Sequence, residues 1–377
     1  MINDIISQPL KSLRDIFIAA GYDIWLVGGV CRDALMNKTP KDIDLATSAT
    51  PEEQVAIYEA NGLRFIPTGL QHGTVTVVLD EPYEITSLRT EADHDGRYAK
   101  MSYTRDLNED LSRRDLTINA IAMSFDGEVI DPFGGQADIF DQRVRFVGDA
   151  AERMREDYLR ILRFFRFHAR IAGEAPLDAD ATAAIEATRD GLSQISVERI
   201  WSEMRRIIVG PAARETLAQM KALGVFPIIG MPDGMPSAMD VAAKTNITDP
   251  ASVMGLYLTN TAMVNQLADR WKWSNEERQR AIFVGENYLP RVGETERRMK
   301  RAIVDGISIE WALDIMRLSN KADEVLTGWE VPVMPVAGRD LIAAGVQPGP
   351  EMGTVLKAMR ERWIASDYTL SREDLMQ

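Results

Sequence analysis

The sequence predicts an α+β fold, with strands confined to the N-terminal part of the chain and helices nearly to its end. Short apolar runs bordered by turn residues indicate strands at 23–27, 74–79 and 83–88. After about residue 148 such runs become rare, and apolar residues recur at helical spacing. A chain of 377 residues is longer than a single hydrophobic core usually supports, so we expect two or more domains.

The first predicted elements lead to a glycine turn. Residues 8–20 carry apolar side chains at helical spacing, with a proline early and a glycine just past the end, which predicts an amphipathic helix. A strand at 23–27 then runs into Gly28-Gly29, and a short helix is expected at 30–36. Glycines leave the backbone N–H groups open to a ligand, although most glycine pairs are simply turns.

Two aspartates one residue apart follow this turn, Asp42 and Asp44. We expect them on one face of a second strand, with Ile43 and Leu45 buried on the other. Carboxylates about 7 Å apart along a strand repel each other unless a cation lies between them. The alternative to a functional role is a solvated strand end. The functional interpretation is a two-metal site, in which one Mg²⁺ activates an attacking hydroxyl and the other holds a triphosphate.

A helix beginning at Pro51 is expected to precede a β-hairpin. Its strands, Thr74–Leu79 and Tyr83–Leu88, are separated by Asp-Glu-Pro. Glu84 on the second strand is a candidate third carboxylate of the metal site, although exposed glutamates are common on strands. Residues 90–105 show no periodicity and predict a mobile loop.

Residues 113–120, Arg-Arg-Asp-Leu-Thr-Ile-Asn-Ala, run from charged side chains directly into an apolar segment. Such a pattern often marks only the start of a strand or helix. It also offers the Arg114 guanidinium for phosphate, and Asp115 and Asn119 for ribose hydroxyls. The sequence Asp-Pro-Phe-Gly-Gly at 131–135 predicts a tight turn that closes the first domain.

The helix predicted over 152–170 combines Phe and Leu with arginines spaced by three, among them Arg160, Arg163 and Arg166. Asp157 and Arg160 are expected as neighbours on one helix face. The usual meaning of such a pattern is a solvated basic stripe. Because a helix so rich in apolar residues packs on most of its circumference, we expect each arginine to have a partner.

Further along, Ser196 is expected to cap a helix that carries Arg199, and Ser274 with Glu277 fits a capping box. A basic cluster follows Gly293. Candidate phosphate contacts for a nucleic acid are Arg199, Arg297, Arg298, Lys300 and Arg301.

Charge and composition exclude several classes of protein. The net charge of −14 argues against a general polyanion binder, but not against a basic groove on an acidic body. The single cysteine, Cys31, excludes an intramolecular disulfide, and the first residues lack the pattern of a secretory signal. No apolar run is long enough to span a membrane, and three scattered histidines do not fit a histidine metal site. We therefore expect a cytoplasmic protein.

These motifs together resemble class II tRNA nucleotidyltransferases, the bacterial CCA-adding enzymes and their close relatives, the bacterial poly(A) polymerases. Five blocks occur in the family's order over about residues 24–203: Gly-Gly-x-x-Arg-Asp with Asp-x-Asp, Arg-Arg-Asp-x-Thr-Ile-Asn-Ala, Asp-Pro-Phe-Gly-Gly, Glu-Asp-x-x-Arg and Glu-Arg-Ile. The segment from Gly338 to Pro350 also matches the family's tail. Cys31 departs from the family, which more often has an aliphatic residue there, and 90–105 follows its pattern only loosely.

The resemblance implies four parts. A nucleotidyltransferase head with a mixed five-stranded sheet would occupy 1–148, and a helical neck that selects the base 149–210. A helical body at 211–300 and a helical, tRNA-binding tail at 301–377 would complete the chain.

The resemblance also implies roles for single residues. Mg²⁺ would bind at Asp42 and Asp44, and the triphosphate at Gly28, Gly29 and Arg32. Arg114, Asp115 and Asn119 would hold phosphate and sugar. Asp157 and Arg160 would select the base, with Arg163 and Arg166 alongside.

Selection by Asp157 and Arg160 is consistent with hydrogen-bond chemistry, because a carboxylate accepts and a guanidinium donates. Cytosine and adenine each present an NH₂ donor beside a ring-nitrogen acceptor. Uracil and guanine present a carbonyl beside an N–H, which would set like against like.

Three functions remain open. The first is template-independent addition of CCA to the 3′ end of tRNA from CTP and ATP, and the second is the same chemistry in a poly(A) polymerase or an A-only-adding enzyme. An acidic chain without a basic tail favours compact tRNA over processive polyadenylation. The third is an RNA-binding protein without catalysis, against which the presence of Asp42, Asp44, Asp157 and Arg160 argues. No protein partner can be inferred.

Overall fold

The computed structural model describes residues 5–69, 73–90, 102–288 and 294–377. Contacts divide the chain into two compact units, Met1–Met231 and Pro232–Gln377. The strands of the described residues lie in the first unit, and the second is helical, which confirms the predicted α+β class. The division into head, neck, body and tail stays a prediction, and most of the loop predicted at 90–105 lies outside the described residues.

One mixed sheet of seven strands runs in the order β3-β4-β5-β2-β1-β6-β7. Strands β2 and β5 pair in parallel, and the other neighbours are antiparallel. The predicted count of five strands is wrong. Two of the seven have only two residues each, too few for an alternating pattern to appear in the sequence. The strands are β1 Ile24–Val27, β2 Leu45–Thr47, β3 Arg64–Gly69, β4 Thr74–Val78, β5 Pro82–Ser87, β6 Ala122–Met123 and β7 Val129–Ile130.

The helices of the first unit include those predicted at 8–20, after the glycine turn and from Pro51. They are α1 Gln8–Ala19, α2 Gly29–Leu35, α3 Pro51–Ala60, α4 Leu107–Ser112, α5 Gly135–Phe140, α6 Ala150–Glu156, α7 Leu159–Ile171, α8 Ala179–Thr188, α9 Val197–Ile207, α10 Ala213–Ala222 and α11 Val225–Ile229, with 3₁₀ turns at Thr117–Asn119 and Arg189–Gln194.

Helix α1 packs against the sheet. Its buried face contributes Leu10, Leu13 and Phe17 to the same core as Leu26 of β1 and Tyr58 of α3. Burying each of these large apolar side chains contributes about 1.5–3 kcal/mol. This core therefore holds β1 rigidly, and β1 ends where the glycine turn begins.

The helix predicted over 152–170 is interrupted at Asp157, so that prediction is wrong at this point. Helix α6 ends at Glu156 and α7 begins at Leu159, and Asp157 between them is extended, with φ −153° and ψ 103°. The Asp157 carboxylate accepts the Leu159 N–H at 3.1 Å. An aspartate side chain that competes for backbone N–H groups in this way favours a break over a continuous helix.

The second unit is built from short helices. The predicted capping box is confirmed, because the Glu277 N–H donates to Ser274 at 3.1 Å and the Ser274 N–H to Glu277 at 2.9 Å. In the described ranges no helix has both the length and the apolar character to cross a membrane. The helices are α12 Ser237–Lys244, α13 Pro250–Leu258, α14 Thr261–Trp271, α15 Asn275–Asn287, α16 Thr295–Val304, α17 Ile309–Leu318, α18 Glu324–Thr327, α19 Gly338–Ala343, α20 Pro350–Ala365 and α21 Arg372–Met376.

Candidate nucleotide-binding site

A cavity of about 710 Å³ in the first unit collects thirteen of the predicted site residues. Sequence positions more than 150 residues apart meet there, because the end of β1, the start of β2 and the N-terminal half of α7 face the same space. The predicted residues that line it are Gly28, Gly29, Arg32, Asp42, Asp44, Arg114, Asp115, Asn119, Asp157, Arg160, Arg163, Arg166 and Arg199.

The wall of this cavity is basic. Nine arginines and five aspartates are among the described residues that line it, whereas the whole chain carries a net charge of −14. A concave site with one dominant sign of charge concentrates ligands of the opposite sign. The acidic chain therefore contains a basic cavity suited to an anionic ligand such as a triphosphate.

The glycine turn forms one edge of the cavity. Gly28 has φ +71°, which L-residues with a side chain rarely adopt, and its N–H donates to the Ile121 carbonyl at 3.0 Å. A Cβ at Gly28 would lie 2.7 Å from Nη1 of Arg114, whereas one at Gly29 would lie 3.7 Å from Nη2 of Arg32. The backbone conformation requires Gly28, and a side chain there would also displace the Arg114 guanidinium.

We expect Gly28→Ala to lower the free energy of unfolding by about 1–3 kcal/mol, because a residue with a Cβ is strained at φ +71° and ψ −118°. Gly29→Ala is the matched control, since its Cβ would meet only ordinary contacts at the start of a helix, and Ala there is neutral or stabilising. Urea denaturation of both variants measures the difference. Equal stability of the two would contradict the conformational requirement at Gly28.

Asp42 and Asp44 line the cavity but precede the second strand, which begins only at Leu45, so their predicted place on the strand is wrong. The Asp44 carbonyl still accepts the Val27 N–H at 3.0 Å, which ties its backbone to β1. The pairing of Leu45 with Ile85 places Asp44 beside Glu84. Asp44 is therefore held by backbone hydrogen bonding next to two other carboxylates.

Burial, together with the neighbouring carboxylates of Glu84 and Asp42, raises the pKa of Asp44 above its ordinary value, against the opposing effect of Arg114 and Arg32. A bound cation would relieve this crowding of negative charge. Among the described residues, no group of three or more His, Cys, Asp and Glu side chains forms a metal site. Two carboxylates nevertheless fit Mg²⁺, which commonly takes one or two of them and fills its other positions with water and substrate phosphate.

Asp110, which the sequence analysis missed, anchors two arginines of the cavity wall. This α4 residue is only 1% exposed, and it accepts from Nε of Arg113 at 2.9 Å and from Nη2 of Arg114 at 3.2 Å. The spacing of three and four residues is the signal that was available. Arg114 also donates to the Asn119 carbonyl at 3.2 Å, and its buried Nε has no acceptor among the described residues. Asp110 therefore fixes the position of both guanidinium groups at the cavity wall.

Asp115 and Asn119 are linked to arginines of the cavity. Asn119 accepts from Nη1 of Arg32 at 2.5 Å, and Asp115 accepts from Nε of Arg163 at 2.6 Å and from the Leu116 N–H at 2.9 Å. Burial tends to raise the pKa of Asp115, but Arg163 and these hydrogen bonds outweigh it and the pKa is lowered. Both side chains therefore orient arginines, whether or not they also contact a sugar.

The arginines of α7 have partners, as expected. Arg163 pairs with Asp115, Arg166 donates to Glu203 of α9 at 2.6 Å, and both carboxylate oxygens of Asp33 accept from Arg170 at 2.9 Å. These pairs fasten α7 to the sheet domain on one side and to α9 on the other.

Asp157 and Arg160 both line the cavity, although the helix break means that they do not share a continuous helix face as predicted. The second carboxylate oxygen of Asp157 accepts from Nη2 of Arg199 at 2.7 Å. Arg160 donates through Nη1 to the Arg153 carbonyl at 2.9 Å and pairs with Glu156. The cap of α9 is as predicted, since Ser196 accepts the Arg199 N–H at 3.4 Å.

The predicted basic cluster lies in the second unit, on α16, and its members have partners there. The contacts are Arg297 with the Ala365 carbonyl at 3.3 Å, Arg298 with Asn287 at 2.6 Å, Lys300 with Glu296 at 2.7 Å and Arg301 with Glu361 at 2.8 Å. Their role toward RNA stays a prediction.

Other lining residues escaped the sequence analysis because their spacing carried no signal. Thr86 lies opposite Ala46 in the pairing of β5 with β2, and Arg89 lies two residues after the end of β5. Arg206 lies on the same α9 face as Glu203. Phe167 resembled an ordinary core residue of α7. These four and Asp110 belong to the lining of the cavity.

Comparison with known proteins identifies relatives along the whole chain. Residues 24–145 match the family described as the Poly A polymerase head domain, and residues 176–232 match the family described as the probable RNA and SrmB-binding site of polymerase A. The mitochondrial CCA tRNA nucleotidyltransferase 1 of Danio rerio is 35% identical, with 99% of this chain and 90% of the relative covered. A CCA-adding enzyme of Levilactobacillus brevis is 31% identical over 89% of this chain and 88% of its own length.

Solved structures of CCA-adding enzymes also match this chain. The Bacillus stearothermophilus CCA-adding enzyme in complex with CTP matches with a TM-score of 0.77 at 28% identity, covering 96% of this chain and 94% of the other. A Thermotoga maritima CCA-adding enzyme complexed with tRNA matches with a TM-score of 0.65 at 17% identity, covering 100% and 97%, and therefore shares the fold.

Proposed function

Because the chain belongs to the family of CCA tRNA nucleotidyltransferases, we propose that it transfers nucleotides from CTP and ATP to the 3′ end of tRNA, building or repairing the terminal CCA. The observation that carries the proposal is that Asp42 and Asp44 line the same basic cavity as Asp157 and Arg160. The first pair suits nucleotidyl transfer and the second suits the choice of base.

In this proposal, different residues of the chain bind the triphosphate and the metal. Gly28 and Gly29 have no side chain that would block the triphosphate, while Arg32 and Arg114 neutralise its charge. Asp42 and Asp44 would hold Mg²⁺, which when bound activates an attacking hydroxyl and stabilises charge on the phosphates. Positioned charges of this kind supply most of the rate enhancement in phosphoryl-type transfer.

Asp157 and Arg160 would select the base. The carboxylate accepts a hydrogen bond from the exocyclic NH₂ of cytosine or adenine, and the guanidinium donates to the adjacent ring nitrogen. A site built to hydrogen-bond its substrate rejects a mismatched one by several orders of magnitude, because the mismatched polar groups stay unpaired. The protein itself would thus act as the template.

The test is to incubate a tRNA that lacks its 3′ CCA, and separately one that ends in CC, with each labelled triphosphate and Mg²⁺, and then to sequence the products. We expect C, C and A in that order from CTP and ATP together. A tRNA that already ends in CCA is the control and should gain nothing. A single A on a CC end alone, a long A tract, or no addition would each contradict CCA addition and identify A-only addition, polyadenylation or a silent protein respectively.

A further inference from the structure

We propose that Phe167 is a positioning residue, whose ring sets the guanidinium groups of Arg32, Arg163 and Arg166 as one array that binds the charge of the nucleotide. The proposal rests on the proposed function, in that the ligand is a nucleoside triphosphate. It adds that nucleotide affinity depends on an aromatic ring that is itself uncharged, on the same helix as the base-selecting residue Arg160.

Three guanidinium groups surround this one ring. The Cζ atoms of Arg166, Arg32 and Arg163 lie 4.2, 4.9 and 5.7 Å from the ring centroid of Phe167. Each distance falls within the range of about 6 Å at which a cation is attracted to the face of an aromatic ring. Phe167 is 5% exposed and lines the cavity, so the ring and its three cations share the wall of the site.

Each of these arginines is also paired with one acidic side chain, and the three acids come from different parts of the chain. The pairs are Arg32 with Asp33 at 3.0 Å, Arg163 with Asp115 at 2.6 Å and Arg166 with Glu203 at 2.6 Å. Each carboxylate fixes one edge of its guanidinium group, and the ring of Phe167 restricts the orientation of the guanidinium plane. Asp33 also binds Arg170 through both oxygens, which fixes α7 against α2 and keeps Phe167 next to Arg32.

Without the ring of Phe167, holding the three guanidinium groups close together would cost free energy. Three like charges near one point repel each other, and burial lowers the pKa of Arg32 and of Arg166, whereas Asp115 outweighs burial at Arg163 and raises its pKa. The negative face of an aromatic ring offsets part of this cost, whereas an aliphatic side chain of similar size does not. Loss of the ring should therefore let the cations move apart and weaken their joint hold on a triphosphate.

The experiment compares Phe167→Leu with Phe165→Leu. Phe165 lies on the same helix, is fully buried and packs edge-to-face on Phe164 at 5.8 Å, but it contacts none of the three arginines in the described interactions. Equilibrium dissociation constants for CTP and ATP with Mg²⁺ are measured alongside thermal stability. We expect Phe167→Leu to raise both dissociation constants roughly tenfold while leaving the preference for CTP over UTP unchanged. Phe165→Leu should lower stability and leave the dissociation constants within about twofold of the wild type.

Rescue by a conservative variant separates positioning from packing. Phe167→Tyr retains the aromatic face and is expected to keep wild-type affinity. If Phe167→Leu fails to fold, pentafluorophenylalanine at 167 takes its place, because it keeps the shape of the ring and reverses its quadrupole, and we expect the same tenfold loss. Unchanged affinity with either replacement, or an equal loss in Phe165→Leu, would overturn the proposal. Wild-type protein that binds CTP and ATP but adds nothing to tRNA would instead overturn the proposed function.

Discussion

Replacing Asp44 by Asn is expected to lower nucleotide incorporation at least about a thousandfold while tRNA binding persists, and Asp42→Asn is expected to do the same. Asn keeps the shape of the side chain but removes the charge that would hold Mg²⁺. Loss of several kcal/mol of transition-state stabilisation corresponds to such a factor, at about 1.36 kcal/mol for each tenfold change. The hydrogen bond from Val27 to the Asp44 carbonyl involves only the backbone and is unaffected. Single-turnover incorporation and tRNA binding are the measurements.

Asp126→Asn is the matched control for both variants. Asp126 belongs to the same unit, its side chain is 86% exposed, and its ion pair with Arg14 lies outside the cavity. Glu84→Gln tests the candidate third carboxylate, and a loss as large as that of Asp44→Asn would make Glu84 a metal ligand. Turnover at the wild-type rate in either aspartate variant would refute the proposed role of the pair.

Local sequence signals were sufficient for most of the scaffold. The strand before the glycine turn, the hairpin of β4 and β5, the helix from Pro51 and the caps at Ser196 and Ser274 each depend on a few neighbouring residues. The count of strands was not predictable in this way. Strands β6 and β7 are held by pairing with each other and with β1, so their existence depends on tertiary contacts rather than on a local pattern.

The site, like the strands, was predictable only where a local sequence pattern marked its residues. Motifs predicted the residues that line the cavity, but not what each one contacts within the protein. Asp157 was placed on a continuous helix because its hydrogen bonds to the distant Arg199 and to the Leu159 N–H leave no periodic trace. Asp110 was missed although its spacing from Arg113 and Arg114 offered a signal. The expectation that buried arginines have partners was correct since it follows from the cost of burying charge, but which acid pairs with which arginine depends on the fold.

Arg160→Ala is expected to relax base choice, raising incorporation of UTP or GTP relative to CTP and ATP by at least about tenfold. The described contacts of Arg160 all use Nη1, with the Arg153 carbonyl and Glu156 as acceptors. Its Nη2 and Nε take part in none of the described contacts, so they would be available to donate to a base. Removing the guanidinium leaves the ring nitrogen of C or A without a donor, and also removes the donor that would oppose the N–H of U or G.

Asp157 should depend on Arg199 for the same discrimination. One Asp157 oxygen caps Leu159 and the other accepts from Arg199, so the carboxylate is oriented from both sides and each oxygen retains a second lone pair for a base. We expect Arg199→Met to weaken discrimination by a smaller factor than Arg160→Ala, because the Leu159 hydrogen bond still holds Asp157. The matched control is Arg155→Ala, an exposed arginine of α6 outside the cavity lining. Competition between CTP and UTP for one tRNA end measures the ratio directly, and an unchanged preference in Arg160→Ala would mean that selection lies elsewhere in the cavity.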